Sequence, residues 1–177
     1  VEFCAEKSFL QTADIDLGVG GDWVPLAVGS PGFIGTYDGG SHTIANMTTA
    51  TGGTNRGLFG NSTDATIKNL SLTSATIGGG DIVGALVAES ANTVIADITV
   101  TGAVTGGSDV GGVVGSATQD TTLTRVSFSG IVTGGFYTGA ILGAGDAVIL
   151  TDLSVTGTTI TGQKRTGGAV GLTSNSS

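Results

Sequence analysis

One short motif returns along the chain at a nearly constant interval. "GLFG" begins at Gly57, and "GALVA", "GGVVG", "GAILG" and "GGAVG" begin at Gly84, Gly111, Gly139 and Gly167. The copies end at Gly60, Ala88, Gly115, Gly143 and Gly171, so the steps along the numbering are 28, 27, 28 and 28. Two further columns keep the same step. One reads "IKNLSLTS", "IADITVTG", "LTRVSFSG" and "LTDLSVTG", beginning at Ile67, Ile95, Leu123 and Leu150. The other closes on Gly78, Gly106, Gly134 and Gly162, each 28 beyond the last. Self-similarity at a period of about 20 to 50 residues is the mark of a solenoid, a propeller or an array.

The content of each period selects among these. A leucine-rich repeat needs a Leu and Asn ladder, and a propeller blade needs about 40 residues and four strands. Here each period holds three short strand-like runs broken by glycine or polar residues. In "LSLT" and "ITVT" apolar residues alternate with Ser and Thr, so one set faces inward and the other outward. The inward set is Leu70 and Leu72, Ile98 and Val100, Val126 and Phe128, Leu153 and Val155. No single coil can bury it; stacked coils can, while pairing their backbones. The sequence therefore predicts an all-β parallel β-solenoid (β-helix) of roughly five coils, about 28 residues each. Glycines are expected at the corners, and the pentads are expected to supply a further strand.

Composition excludes several classes. Gly is 33 of 177 residues, yet hydrophobic residues are 39% and charged residues 11%, the reverse of the balance that keeps a chain disordered. The formal net charge is −8 with six Lys and Arg, so no clustered basic surface exists for nucleic acid. No apolar run approaches the roughly 18 residues of a membrane span, so membrane insertion is not expected. The chain starts at Val1 without a recognisable signal peptide, and reads as a mature or excised piece. Cys4 is the only cysteine, so no internal disulfide or thiolate metal cluster is expected. It reads as a small capping residue, a reactive thiol being the alternative.

Residues 1–50 read as an irregular N-terminal cap or first coil, and 51–177 as regular coils of one continuous domain, a slice of a longer array. "HTIANMTTA" at His42 reads as a displaced first copy of the "IKNLSLTS" column, with Ile44 and Met47 in place of Ile67 and Leu70, a step of only 23. The run "ADIDL", "WVPL", "YDGGSHTIANM" and "GLFG" resembles the GLUG-repeat family, from about Phe9 to Gly171. The later pentads keep only its glycine-apolar pattern. Repeats of that family occur in large secreted and cell-surface bacterial proteins, including adhesins and immunoglobulin-A-cleaving peptidases, so the resemblance implies a non-catalytic extracellular module of such a protein.

Few residues invite chemistry. His42, the only histidine, lies four residues from Asp38; paired with Asp14, Asp16 or Asp38 it could serve a polysaccharide-active enzyme. The plainer reading of "DGGSHT" is a tight turn. Asp14 and Asp16 fall on one strand face and could share a Ca²⁺ ion, or lie on a solvated edge. No other cofactor is implied. Asp81 and Asp109 stand 28 apart, but the next rungs are Tyr137 and Arg165, so no acidic ladder continues. The exposed feature of most interest is the outward set of the second column: Ser71 and Thr73, Thr99 and Thr101, Ser127 and Ser129, Ser154 and Thr156. Stacked, it makes two files of hydroxyls about 6.8 Å apart along the strand and about 4.8 Å apart between coils. The expected function is a non-enzymatic extracellular stalk or adhesion module that presents these ladders to carbohydrate or to a host or environmental surface. Ice binding is the alternative, because the array resembles the Thr-x-Thr arrays of β-solenoid antifreeze proteins. Self-association through coil ends, as in a filament subunit, is a further expectation.

Overall fold

The structure, a computed structural model, describes residues 7–176. Cys4 lies outside the described residues. The chain winds into an all-β parallel solenoid of about six turns, with no helix among the described residues. The strand pairings are parallel, as stacking of successive coils requires.

A wide sheet carries β1 (Ser8–Leu10), β2 (Ile15–Asp16), β3 (Thr36–Ala45), β5 (Thr66–Gly78), β8 (Val94–Thr105), β11 (Thr121–Thr133), β14 (Val148–Val155) and β15 (Thr159–Thr161). A second sheet stacks β4 (Phe59–Thr63), β7 (Val87–Ala91), β10 (Val114–Thr118), β13 (Leu142–Asp146) and β17 (Val170–Ser174). A third stacks β6 (Ile82–Gly84), β9 (Asp109–Gly111), β12 (Tyr137–Gly139) and β16 (Arg165–Gly167). The core runs down the axis between them. Ile67, Leu70, Leu72 and Ile77 of one coil lie over Ile95, Ile98, Val100 and Val104 of the next, then Leu123, Val126, Phe128 and Val132, all buried. In the last turn Leu150, Leu153, Val155 and Ile160 are only partly covered, because a neighbouring coil packs on one side alone.

The glycine pentads are not a separate strand. Each straddles the corner between the third and second sheets: Gly84 ends β6, and Val87 and Ala88 begin β7. At Gly84 a Cβ would strike the carbonyl of Val87 and stand 2.5 Å from the amide nitrogen of Gly115. Glycine is needed there for backbone packed on backbone. Many of the corners use other residues. Asn69, Asp97, Arg125 and Asp152 stack at φ of 54 to 57°, and Asp64, Asn92, Asp120, Ala147 and Asn175 hold similar conformations. Asn and Asp tolerate this region better than other non-glycine residues. At Asn69 and its equivalents alternation breaks: Lys68 and Asn69 both face outward between buried Ile67 and Leu70. The wide sheet is thereby folded into two facets.

The corners also explain the one short step in the repeat. Leu72 pairs with Val100, a separation of 28, but Ala75 pairs with Gly102, a separation of 27. Ser74, at φ 53°, is one extra residue that the next coil lacks. Ala91 pairs with Thr118, 27 on, while Val94 pairs with Thr122, 28 on, because Gln119 and Asp120 occupy a corner that Asn92 turns alone. The coil from Ala88 to Gly115 is thus the short one and carries no insertion; its neighbours each add one residue at a corner.

The N-terminal segment joins the same ladder. Ser8 pairs with Thr36, a separation of 28, and Thr36 with Thr66, a separation of 30. The two surplus residues lie between Asp38 and His42, which span four positions against two from Lys68 to Leu70. Gly40 and Ser41 absorb them at φ of 60 and 64°. This corrects the register read from the sequence: Ile44 stands opposite Leu72 and Tyr37 opposite Ile67, so Ile44 and Met47 do not replace Ile67 and Leu70. Loop residues 17–35 close this turn over an aromatic plug, in which Phe33 stacks on Phe59 at 4.9 Å and Tyr37 meets Phe59 edge-on at 5.6 Å.

Candidate functional site

The hydroxyl files lie on the outer side of the wide sheet, on the facet after the Asn69 corner. One file is continuous. Thr43, Ser71, Thr99, Ser127 and Ser154 pair directly, rung on rung, across five coils. Ser127 Oγ donates to Thr99 Oγ1 at 3.1 Å, so these two rungs are hydrogen-bonded through their side chains. The second file is interrupted. Ser129 pairs with Thr101, but the insertion at Ser74 displaces Thr73, and Thr101 Oγ1 instead accepts from the Ser74 amide at 3.2 Å. Thr156 lies just past the end of β14. None of the eight array residues is buried.

A third file escaped the sequence reading. Thr105, Thr133 and Thr161 pair in register on the next facet, with Val104, Val132 and Ile160 turned inward. The signal was present: each directly precedes one of the period-marking glycines Gly106, Gly134 and Gly162. The two facets together form a belt without charge. Residues 43–55, 70–80, 98–108, 126–136 and 153–163 contain no Asp, Glu, Lys, Arg or His. In a chain of net charge −8, every charged side chain lies outside these stretches.

One margin is the Asn69 corner. Arg125 forks onto Asp97 through Nε at 2.6 Å and Nη2 at 2.8 Å, and holds that carboxyl below its ordinary value. Lys68 Nζ stands 3.4 Å from Asp38, whose carboxylate also accepts from Asn69 Nδ2 and the Gly40 amide. Those bonds, Asn69 first, lower its pKa. Acid and base therefore alternate up this edge and tie coil to coil.

Asp14 and Asp16 are both engaged within the fold. Asp14 Oδ1 accepts from the Thr43 amide at 2.8 Å and faces His42 Nδ1 at 3.3 Å; the Thr43 bond is the first cause of its lowered pKa. Asp16 Oδ1 accepts from Asn46 Nδ2 and the Gly18 amide, both at 2.9 Å, and its pKa falls for that reason. Both carboxylates thus brace the coil that begins the hydroxyl file. Among the described residues no group of three or more His, Cys, Asp or Glu side chains is placed to hold a metal ion. Asp81 and Asp109 do not share a rung: Asp109 pairs with Ile82, because the shorter coil shifts the register by one. Tyr137 follows Asp109 and Arg165 follows Tyr137, with the guanidinium 5.5 Å from the ring centroid.

No protein-family model matches the sequence, and no curated protein matches it. Among solved structures the fold is similar to one described as "a putative immunoglobulin A1 protease from Bacteroides ovatus". The TM-score is 0.69 at 19% identity, over 89% of this chain and 62% of that one. At that identity the likeness establishes the solenoid fold. This chain spans less than two thirds of that neighbour's length.

Proposed function

We propose that this chain is a non-catalytic, extracellular stalk or adhesion module of the GLUG-repeat type, from a bacterial secreted or cell-surface protein, and that it lays its uncharged hydroxyl belt against an extended surface. The observation that carries this reading is the belt itself: five rungs in register from Thr43 to Ser154, free of charge, on a strongly acidic chain. Stacked coils make a stiff support. Each hydroxyl contributes a weak contact, and a repeating ligand engages many at once, so avidity replaces single-site affinity. The absence of charge suits a neutral partner, because no carboxylate or ammonium must be desolvated when the facet is covered. A carbohydrate polymer has that chemistry. The test is co-sedimentation with insoluble cellulose, chitin and bacterial cell walls. Thr99→Arg should abolish pelleting, whereas Ala144→Arg, on the outward side of the second sheet two coils from Glu89, should leave it unchanged. Equal pelleting by both variants sinks the reading.

The same belt favours ice as a second reading. Where the two files run together, at Thr99 and Thr101 beside Ser127 and Ser129, the hydroxyl spacing of about 4.8 by 6.8 Å is that of a regular lattice rather than of a flexible polymer. Ala103 and Ile131 interrupt the file that begins at Thr48 and Thr76, leaving the ice-like regularity strongest along the Thr99 file. Thermal hysteresis in the wild type that disappears in Thr99→Arg would support this reading; no hysteresis ends it.

A further inference from the structure

The outward file of the second sheet is shallow in most coils, where it reads Ser116, Ala144 and Leu172. At its N-terminal end it carries Asn61 of β4 and Glu89 of β7, paired directly on adjacent coils. The loop at residues 28–31 and the corner at Asn55 rise beside them. Together they enclose a cleft of about 420 Å³. That volume lies within the range of small-molecule sites, about 300 to 1,000 Å³.

The polar groups of the cleft are already assembled. Asn61 Nδ2 donates to Glu89 Oε2 at 2.9 Å, and Asn55 Nδ2 donates to the same oxygen at 3.2 Å. Asn55 Nδ2 also reaches Asn61 Oδ1 at 3.1 Å, and the Gly29 amide donates to that oxygen at 3.0 Å. Both asparagines and one carboxylate oxygen are thereby fixed before any ligand arrives. Glu89 Oε1 and Asn55 Oδ1 remain as acceptors without a bond among the described residues, and Asn61 Nδ2 keeps a second N–H. Val28, 61% exposed, and Pro31 supply an apolar wall. Two free acceptors and a donor on residues that line one cleft, beside an apolar wall, match one sugar ring, which offers adjacent hydroxyls at its rim and C–H groups on its face. An anionic sugar is disfavoured, because Glu89 is the one charged group lining the cleft and the chain as a whole carries −8.

We propose that this cleft binds one residue of a neutral glycan, with Glu89 Oε1 accepting from sugar hydroxyls and Val28 and Pro31 covering the C–H face. The site is on a different sheet from the hydroxyl belt, and its ligand is a single residue rather than a surface, so either assignment can fail alone. The test is isothermal titration of the intact chain with the methyl glycosides of glucose, galactose, mannose and N-acetylglucosamine. The expected result is saturable binding of at least one, at a Kd of about 1 mM or tighter. Glu89→Gln and Asn61→Ala should each weaken it about tenfold or more, the cost of a lost hydrogen bond to a charged group. Thr99→Arg should bind as the wild type does, and circular dichroism checks that each variant is folded. No saturable glycoside binding overturns the proposal, as does unchanged binding in folded Glu89→Gln. Calcium binding that Glu89→Gln abolishes, with no glycoside binding, also overturns it and reassigns the cleft to a cation.

Discussion

Gly130→Ala should destabilise the protein far more than a surface glycine change, because it breaks the stacking of two coils. Gly130 turns the corner of β11 at φ 142° and pairs directly with Gly102 of β8, at φ 149°. A Cβ at Gly130 would overlap the Gly102 carbonyl oxygen and stand 2.9 Å from its carbon. Relieving the carbon contact alone, to the roughly 3.5 Å of an unstrained pair, opens the coils by about 0.6 Å. Backbone is on both sides, so nothing flexible can yield. The strain of the positive φ costs about 1 to 2 kcal/mol. Weakening the two or so ladder hydrogen bonds beside it, at Ser129–Thr101 and Ile131–Ala103, adds about 1 kcal/mol each. The sum is about 3 to 4 kcal/mol. Gly21→Ala is the control, since Gly21 has φ 74° but nothing within 4 Å of a built Cβ. It should cost only the strain. Urea unfolding followed by circular dichroism reads the difference. With a slope of about 3 kcal/mol per molar, Gly130→Ala should lower the midpoint by about 1 M or more and Gly21→Ala by about half that or less. Equal shifts would refute the claim that coil contact, rather than backbone strain, demands glycine there.

Three further outcomes are expected. Phe128→Ala, which empties a fully buried ring site between coils, should cost about 3 to 5 kcal/mol in the same urea assay. Asp109 is half-buried, and its pKa is raised by burial first and then by the charges of Asp81 and Glu89. Its ionised form is therefore disfavoured in the folded chain, so Asp109→Asn should raise the melting temperature at pH 7 and bring little gain below about pH 3, where the folded wild type is already protonated. Asp14, Asp16, Asp38, Asp97 and Asp146 are all shifted the other way by their hydrogen bonds. The stability they contribute is full above the ordinary value of 3.8 and lost as pH falls through their lowered folded values, so melting temperature should drop steadily in that acid window.

The fold was legible because burial repeats. A residue such as Leu70 must face the axis in every coil, so its equivalents Ile98, Val126 and Leu153 stay apolar and keep the period visible. The corners were less legible because several chemistries can solve them. Asn69, Asp97, Arg125 and Asp152 occupy one position with one backbone conformation, yet only three of the four belong to the residue types that tolerate it. Arg125 is retained there by its fork onto Asp97, a contact between neighbouring coils that no local sequence rule registers. Glycine at Gly84, in turn, marks a close approach of backbones rather than a positive φ. The first coil was misread for a related reason: two surplus residues at Gly40 and Ser41 bulge outward without disturbing the core, so a count that assumes a constant step slips.

That tolerance has a functional consequence. Insertions at corners leave the buried ladder intact but move the outward residues beside them, as Ser74 moves Thr73 out of line with Thr101. The insertions at Gly40–Ser41 and at Ser74 fall on either side of one file and not within it, and there Thr43, Ser71, Thr99, Ser127 and Ser154 stay aligned. The cleft at Glu89 arises from the opposite circumstance. There the N-terminal loop departs from the regular coil, and irregularity creates concavity where the repeat alone gives a flat wall. Regular coils suit contact with something extended, and the irregular end suits something small. Inserting one residue beside Thr99 should therefore impair surface binding without affecting glycoside titration, while shortening the loop at residues 28–31 should do the reverse. Loss of both activities in either variant would show that the two surfaces are not independent.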